Sequence, residues 1–192
     1  MLVLASASPR RRELLTQAGF SFTVRPAHIP EDPFPDEDPI AYVTRLALEK
    51  AQAVYGQLGD ASAQVLGADT TVIVDSHILG KPEDAADAAR MLRMLSGRAH
   101  RVATGVALVT AFSSEATAEV TEVFFQPLTD AEIAGYVATG EPMDKAGAYA
   151  IQGQAARWIP RIEGCYFNVV GLPIARVAGL LNAEQGKAPE HQ

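Results

Sequence analysis

The chain has 192 residues, 48% of them hydrophobic and 20% charged, with a formal net charge of −7. That length and balance suit one globular α/β domain with a sizeable core, and the acidic excess argues against a nucleic-acid partner, which needs a basic patch or stripe. No apolar run approaches the roughly 20 residues that span a bilayer, the N-terminus lacks a secretory pattern, and the one cysteine, Cys165, excludes an internal disulfide framework and fits a reducing cytoplasm.

Leu2–Ala5 reads as a short strand leading into Ser6-Ala-Ser-Pro-Arg-Arg-Arg. Ser8 is placed to cap a helix, Pro9 to open it and Gly19 to end it. Arg10, Arg11 and Arg12 then occupy the first turn, where the helix dipole is already positive and carboxylates are preferred. Either they form a solvated basic patch, or the free N–H groups and guanidinium forks bind a polyanion such as phosphate. Phe22–Val24 suggests a second strand. The loop from Pro26 to Pro39 is rich in proline and acid, its carboxylates Glu31, Asp32, Asp36, Glu37 and Asp38 mostly read as solvated. Asp38 caps and Pro39 opens a long helix to about Tyr55. Its apolar stripe Val43, Ala47 and Val54 includes Lys50, so this lysine either snorkels along the core edge or meets an anion. Glu49 lies beside Arg45 at helical i,i+4 spacing.

The run Val65–Asp75, rich in β-branched residues, predicts a central strand covered on both faces. It contains one carboxylate, Asp69, and a buried carboxylate must be paired, hydrogen-bonded or metal-bound. Chemistry is one reason for such a residue, and a hydrogen bond to a neighbouring turn is the other. Ser76–Pro82 reads as a tight return in which Gly80 and Pro82 fix the backbone around Lys81. Glu83–Leu95 predicts an amphipathic helix with Ala85, Ala88, Leu92 and Leu95 inward, stopping at Gly97. Arg101–Thr110 and Glu119–Phe125 read as neighbouring strands joined by a polar linker over 112–117. Thr129-Asp-Ala-Glu132 is a capping-box pattern. In Asp144–Gly153, Gly147 and Gly153 permit close backbone approach, and Gln152 offers both donor and acceptor to a planar base edge. A last helix is predicted over Ile174–Leu181, with a frayed polar tail over residues 183–192. His28, His77, His100 and His191 show no zinc-site spacing, and Cys165 reads as a small buried or half-buried thiol rather than a nucleophile.

Taken together, Ser6-Ala-Ser-Pro-Arg-Arg, Glu49-Lys-Ala, Gly67-Ala-Asp-Thr, Gly80-Lys-Pro, Thr104-Gly-Val, Asp144-Lys-Ala-Gly, Ile151-Gln-Gly and Val170-Gly-Leu-Pro resemble the motifs of the Maf-type nucleoside triphosphate pyrophosphatases, in their order, over residues 2–181. The resemblance implies a single domain over 1–192 with two lobes around a cleft, built on an elongated mixed β-sheet flanked by helices like that of the inosine triphosphate pyrophosphatases. It implies a cytoplasmic enzyme and makes Asp69 the proton acceptor. Ser8, Arg11, Glu31, Lys50 and Lys81 match positions that hold the triphosphate and its metal, Mg²⁺ or Mn²⁺, with Glu31 and Asp69 placing that metal. Arg10, Thr70 and Gln152 match specificity positions and resemble the dTTP/UTP branch rather than the branch that cleaves m7GTP. Pro30 departs from the pattern, since many members carry an acidic residue there. Relatives of this kind often dimerise, although no exposed apolar stripe in the sequence specifies a homodimer.

Chemistry and resemblance agree. Cleaving an α,β-phosphoanhydride needs an activated water, and positive charge where the departing pyrophosphate gathers negative charge. An aspartyl-phosphate phosphatase is disfavoured because Thr71 stands where the second acid of an Asp-x-Asp motif belongs. A nucleotide-binding regulator of cell division without turnover accounts for the cations but not for Asp69, since a bare carboxylate weakens binding to a triphosphate.

Overall fold

The computed structural model describes residues 1–186. In chain order its elements are β1 (Leu2–Leu4), α1 (Pro9–Gln17), β2 (Thr23–Val24), α2 (Pro39–Leu58), β3 (Gln64–Val74), β4 (His77–Leu79), α3 (Ala85–Leu95), β5 (Ala99–Val109), β6 (Ser114–Phe124) and α4 (Asp130–Ala138). Three 3-10 turns follow (Glu141–Asp144, Ala146–Ala148, Gln154–Trp158), then β7 (Arg161–Glu163), α5 (Tyr166–Val170) and α6 (Ile174–Gln185). The strands form one mixed sheet in the order β2-β1-β3-β5-β6-β7, with β4 paired to β3. This is the α/β class expected from the sequence. No described helix is long and apolar enough to cross a membrane.

The chain forms two compact units. The first comprises Met1–Asp69, Thr104–Glu119 and the segment from Gly171, and the second comprises Thr70–Ala103 and Val120–Val170.

In the first unit β1 runs parallel to β2 and β3, with Val3 opposite both Thr23 and Val65. Ser8 caps α1 by accepting from the Arg11 N–H, and Asp38 caps α2 by accepting from Ile40 and Ala41. Pro39 opens α2, and Gly59, at φ +63°, closes it. The stripe read from the sequence is the buried face of α2: Ala47, Ala51 and Val54 pack with Val3, Val65, Ala107 and Val109. Two glycines set how closely this helix lies. A Cβ on Gly67 of β3 would stand 2.0 Å from the Ala47 carbonyl oxygen, and one on Gly105 of β5 would stand 2.1 Å from that of Val43. Backbone therefore rests on backbone at two points one helical turn apart.

Two expectations change here. The polar linker placed over 112–117 is largely strand, because β6 begins at Ser114 and the connection closes with Thr110 N–H donating to the Ser113 carbonyl at 2.9 Å. Its polar residues lie on a half-exposed strand, which lacks the apolar alternation that marks one in sequence. The last helix continues four residues past Leu181 to Gln185, so residues 183–185, assigned to the tail, are helical. Glu184 is buried there, accepting from the hydroxyls of Thr110 and Ser113, each at 2.6 Å. The rest of the expected tail lies outside the described residues.

In the second unit the return after the central strand is a β-hairpin. β4 pairs antiparallel with β3 through Asp75 and Ser76, both at positive φ (+48° and +66°). That backbone usually signals Asn-Gly or Asp-Gly, so an Asp-Ser pair hid it. Asp84 caps α3, whose buried face is Ala88, Met91, Leu92 and Leu95. Ala85, expected inside, is exposed in the first turn. Thr129 and Glu132 complete the expected capping box of α4. β7 and α5, which the sequence did not announce, are too short for periodicity to show. The core of this unit gathers Leu92, Leu95, Val123, Phe125, Ile133, Tyr136 and Trp158.

Adding one methyl at the point of closest approach tests the packing of the first unit. Gly67→Ala is expected to destabilise the protein by about 1–3 kcal/mol, read as a lower urea midpoint, while Gly56→Ala, at a position with no atom within 4 Å of the added carbon, is expected to leave the midpoint in place or raise it.

Candidate active site

The approach of α2 to β3 decides what faces Asp69. Ala47 lies over Gly67, and two residues along a strand returns to the same face, as three residues along a helix does. Those steps lead to Asp69 and Lys50. The Lys50 Nζ stands 2.6 Å from Asp69 Oδ1, with Lys50 only 7% and Asp69 only 8% exposed. The same ammonium lies 2.8 Å from Glu31 Oε1, on a side chain that stays open to solvent. One cation thus joins a buried carboxylate to an exposed one. Of the two readings of Lys50, the anion contact is the one found.

Arg11 completes this cluster from α1. Its Nε donates to the Gly171 carbonyl at 2.8 Å, and one terminal nitrogen donates to the Ala68 carbonyl at 2.9 Å and to Ser6 Oγ at 3.1 Å. The fork is held by its own unit beside the residue preceding Asp69. Ser6, buried and also accepting from the Ser8 N–H at 3.2 Å, is a participant that sequence reasoning quoted but did not single out. Arg10 is partly exposed in the same helical turn, and Arg12 is exposed.

Electrostatics follow from burial. Desolvation pushes the Asp69 carboxyl above the usual carboxylate range, and the positive charges of Lys50 and Arg11 offset part of that rise. Burial pulls the Arg11 pKa down and Asp69 opposes it; a guanidinium stays protonated regardless. Asp69 is therefore a carboxylate with an unusually high affinity for a proton, beside fixed cations. Those are the properties a proton acceptor requires.

Glu31 is held less by itself than by its loop. Tyr42 of α2 donates its hydroxyl to the Glu31 carbonyl at 2.7 Å, and burial together with Asp69 and Glu31 pushes the Tyr42 pKa up to about 12. Arg45, one turn further along α2, binds both Glu37 oxygens at 2.6 and 2.7 Å, stacks over Phe34 at 4.0 Å and donates to the Asp32 carbonyl. Glu37, read from the sequence as solvated, is instead the bidentate partner that pins the acidic loop to α2. The expected Arg45–Glu49 pair is present as a secondary contact at 3.2 Å.

Thr70, Lys81 and Gln152 belong to the second unit. Thr70 is partly buried on β3, while Lys81 and Gln152 are exposed. Gln152 borders a surface groove of about 500 Å³ with Ile151, Ile159, Arg161, Ile162 and Tyr166 among its walls. The loop of Gln152 also touches the turn of Lys81, since the Gly147 N–H donates to the Gly80 carbonyl at 3.0 Å. Cys165 is half-buried and free, as read from the sequence.

Comparison with known proteins places these residues in context. A sequence model described as Maf-like protein matches residues 1–184. A protein of Koribacter versatilis named dTTP/UTP pyrophosphatase is 56% identical over 176 residues, covering 92% of this chain and 90% of its own length. One of Moorella thermoacetica with the same name is 55% identical over 182 residues, covering 94% and 93%. Among solved structures, the Staphylococcus aureus Ham1 protein matches with a TM-score of 0.51 at 14% identity over 95% of this chain and 98% of that one, a likeness of fold alone.

The electrostatic account is checked by carboxyl ¹³C NMR. The Asp69 titration midpoint is expected above the ordinary aspartate range, and Lys50→Met is expected to raise it further, because the ammonium that favours the ionised form is gone. An ordinary midpoint in the parent protein would show that burial does not govern this group.

Proposed function

Because this chain belongs to the Maf family, we propose that it is a nucleoside triphosphate pyrophosphatase that hydrolyses dTTP and UTP to the nucleoside monophosphate and pyrophosphate. The observation that carries the reading is the buried Asp69 carboxylate, its pKa raised and its oxygen bound to Lys50. Relatives above 50% identity over nearly the whole chain bear the name of that activity, which supports the choice of nucleotide.

In this reading Asp69 takes the proton from the water that attacks the α-phosphorus. Proton affinity raised by burial makes it a stronger base than an exposed aspartate once ionised, and the fraction able to act grows as the pH rises through its pKa. Lys50, Arg11 and Lys81 bind the β- and γ-phosphates, and Ser8 lies at the N-terminal end of α1, whose dipole favours the same anion. Negative charge arriving on the leaving pyrophosphate is then met by the positive charge of these side chains, which lowers the barrier. Arg10, Thr70 and Gln152 read the nucleobase, where unmatched hydrogen-bonding groups reject the wrong base more strongly than shape alone does.

A divalent cation suits the donors. Asp69 and Glu31 bring two carboxylates to one point, the hard oxygen ligands that Mg²⁺ and Mn²⁺ take. Among the described residues no group of three or more His, Cys, Asp or Glu is arranged for a metal, so phosphate oxygens and water would complete the shell, as Mg²⁺ usually requires. When bound, such an ion supplies Lewis acidity to the attacking water and to the phosphate oxygens. Lys50 would keep both carboxylates from repelling one another until then.

Pyrophosphate release from dTTP, UTP and m7GTP with Mg²⁺ tests the reading. Release is expected from the first two in preference to the third; orthophosphate alone would indicate a phosphatase, and no release from any nucleotide would indicate a sensor. Asp69→Asn is expected to lower kcat by about 10²- to 10⁴-fold while nucleotide affinity, measured by calorimetry, holds or improves. Retained turnover would remove Asp69 from the role of proton acceptor. Raising the pH is expected to increase kcat/KM of the parent enzyme through the raised Asp69 pKa, since the ionised form is the one that accepts.

A further inference from the structure

Gln152 lies on an exposed turn, and an exposed glutamine reads a base only if its backbone is fixed. The turn is Ala150-Ile-Gln-Gly153, closed by the Gly153 N–H donating to the Ala150 carbonyl at 3.0 Å. Both of its flanks are held by the same pair of side chains. On one side the Ala150 N–H donates to the Tyr136 hydroxyl at 3.2 Å. On the other the Gln154 N–H donates to Glu141 Oε1 at 3.0 Å. The pair is itself joined, because the Tyr136 hydroxyl donates to that same Glu141 oxygen at 2.8 Å.

We propose that Glu141, acting through Tyr136 and the Gln154 N–H, is a positioning residue that fixes the turn presenting Gln152 and so determines nucleobase selectivity. The inference rests on the specificity role given to Gln152 above.

The surroundings show how firmly the clamp is built. Tyr136 is fully buried on α4 and edge-packed against Trp158 at 5.3 Å, so its hydroxyl is aimed by the core. Glu141 follows the end of that helix, and its main chain is tied down as well, its carbonyl accepting from Lys145 Nζ at 2.7 Å. A Cβ on residue 153 would stand 2.1 Å from Glu141 Oε1. Only glycine there lets the carboxylate reach the Gln154 N–H. Upstream, Tyr149 is buried with its hydroxyl 2.7 Å from His100 Nε2, and Gly147 bonds to the Gly80 carbonyl next to Lys81. Those contacts anchor the loop to the sheet, whereas the Tyr136–Glu141 pair is what brackets Gln152. A displacement of about 1 Å at a positioned group can cost 10²-fold in rate, which sets the scale of effect to look for.

Selectivity is read as the ratio of kcat/KM for dTTP to that for dGTP, in the full chain with Mg²⁺. Glu141→Ala is expected to lower the ratio about 10- to 100-fold. Glu141→Gln retains an acceptor oxygen for both donors and is expected to restore most of it. Tyr136→Phe keeps the buried ring, loses both hydroxyl contacts and is expected to lower the ratio as Glu141→Ala does; it decides the matter if the alanine variant fails to fold. In a Gln152→Ala background, Glu141→Ala is expected to lower the ratio no further. If Gln152→Ala changes the ratio and neither Glu141→Ala nor Tyr136→Phe does, the clamp is scaffold and the proposal falls. If Gln152→Ala itself leaves the ratio unchanged, the specificity role of Gln152 falls first, and the clamp then has nothing to position. A ratio that drops further on adding Glu141→Ala to Gln152→Ala would also overturn it, because Glu141 would then act by another route.

Discussion

Backbone contact between α2 and the sheet governs the first unit. At Gly67 and Gly105 the helix carbonyls of Ala47 and Val43 occupy the space a side chain would take. An apolar pair at these positions would hold the helix off by the thickness of a methyl group or more. The Lys50 stem would then have to bridge a wider gap to Asp69, and the 2.6 Å contact would be lost. A packing constraint, two glycines long, is thereby also an electrostatic one.

From this contact the charges follow. Asp69 is buried because β3 is interior, and burial alone would leave it protonated and inert as a base. Lys50 and Arg11 counter that tendency only in part, which keeps the carboxyl ionisable and its pKa raised. Such pairs contribute little net stability, since desolvating both partners offsets their attraction. Folding stability alone therefore does not account for them. Tyr42 and the Arg45–Glu37 fork add a second layer, fastening the loop that brings Glu31 to the same ammonium.

The second unit solves a different problem, the fixing of exposed groups. Lys81 and Gln152 are open to solvent and gain order from main-chain hydrogen bonds rather than from burial. The loop between Lys145 and Gln154 turns through Gly147 and Ala148, both at positive φ, with the Ala148 side chain buried. A non-glycine residue in that conformation carries some strain, which the hydrogen bonds around it sustain.

Local rules written in the sequence determined the helix caps at Ser8, Asp38 and Thr129, the buried stripe of α2, the central strand and the suspicion attached to Asp69 and Lys50. Each depends on neighbours within one turn or on a single period, so the chain itself carries the signal. The flanking Gly80 and Pro82 drew attention to Lys81 and side-chain chemistry to Gln152, and motif resemblance alone added Glu31, which no periodicity marks. Tertiary structure alone decided the partners. Glu37 pairs with Arg45, Arg11 donates to carbonyls 57 and 160 residues away, and Glu141 meets Gln154 across a turn that no spacing rule foretells. Such contacts arise from where the folded backbone brings distant residues, and hydrogen bonds and ion pairs act only within a few ångströms. A linear reading can identify groups that need partners, but which partners they find depends on the packing of helix against sheet.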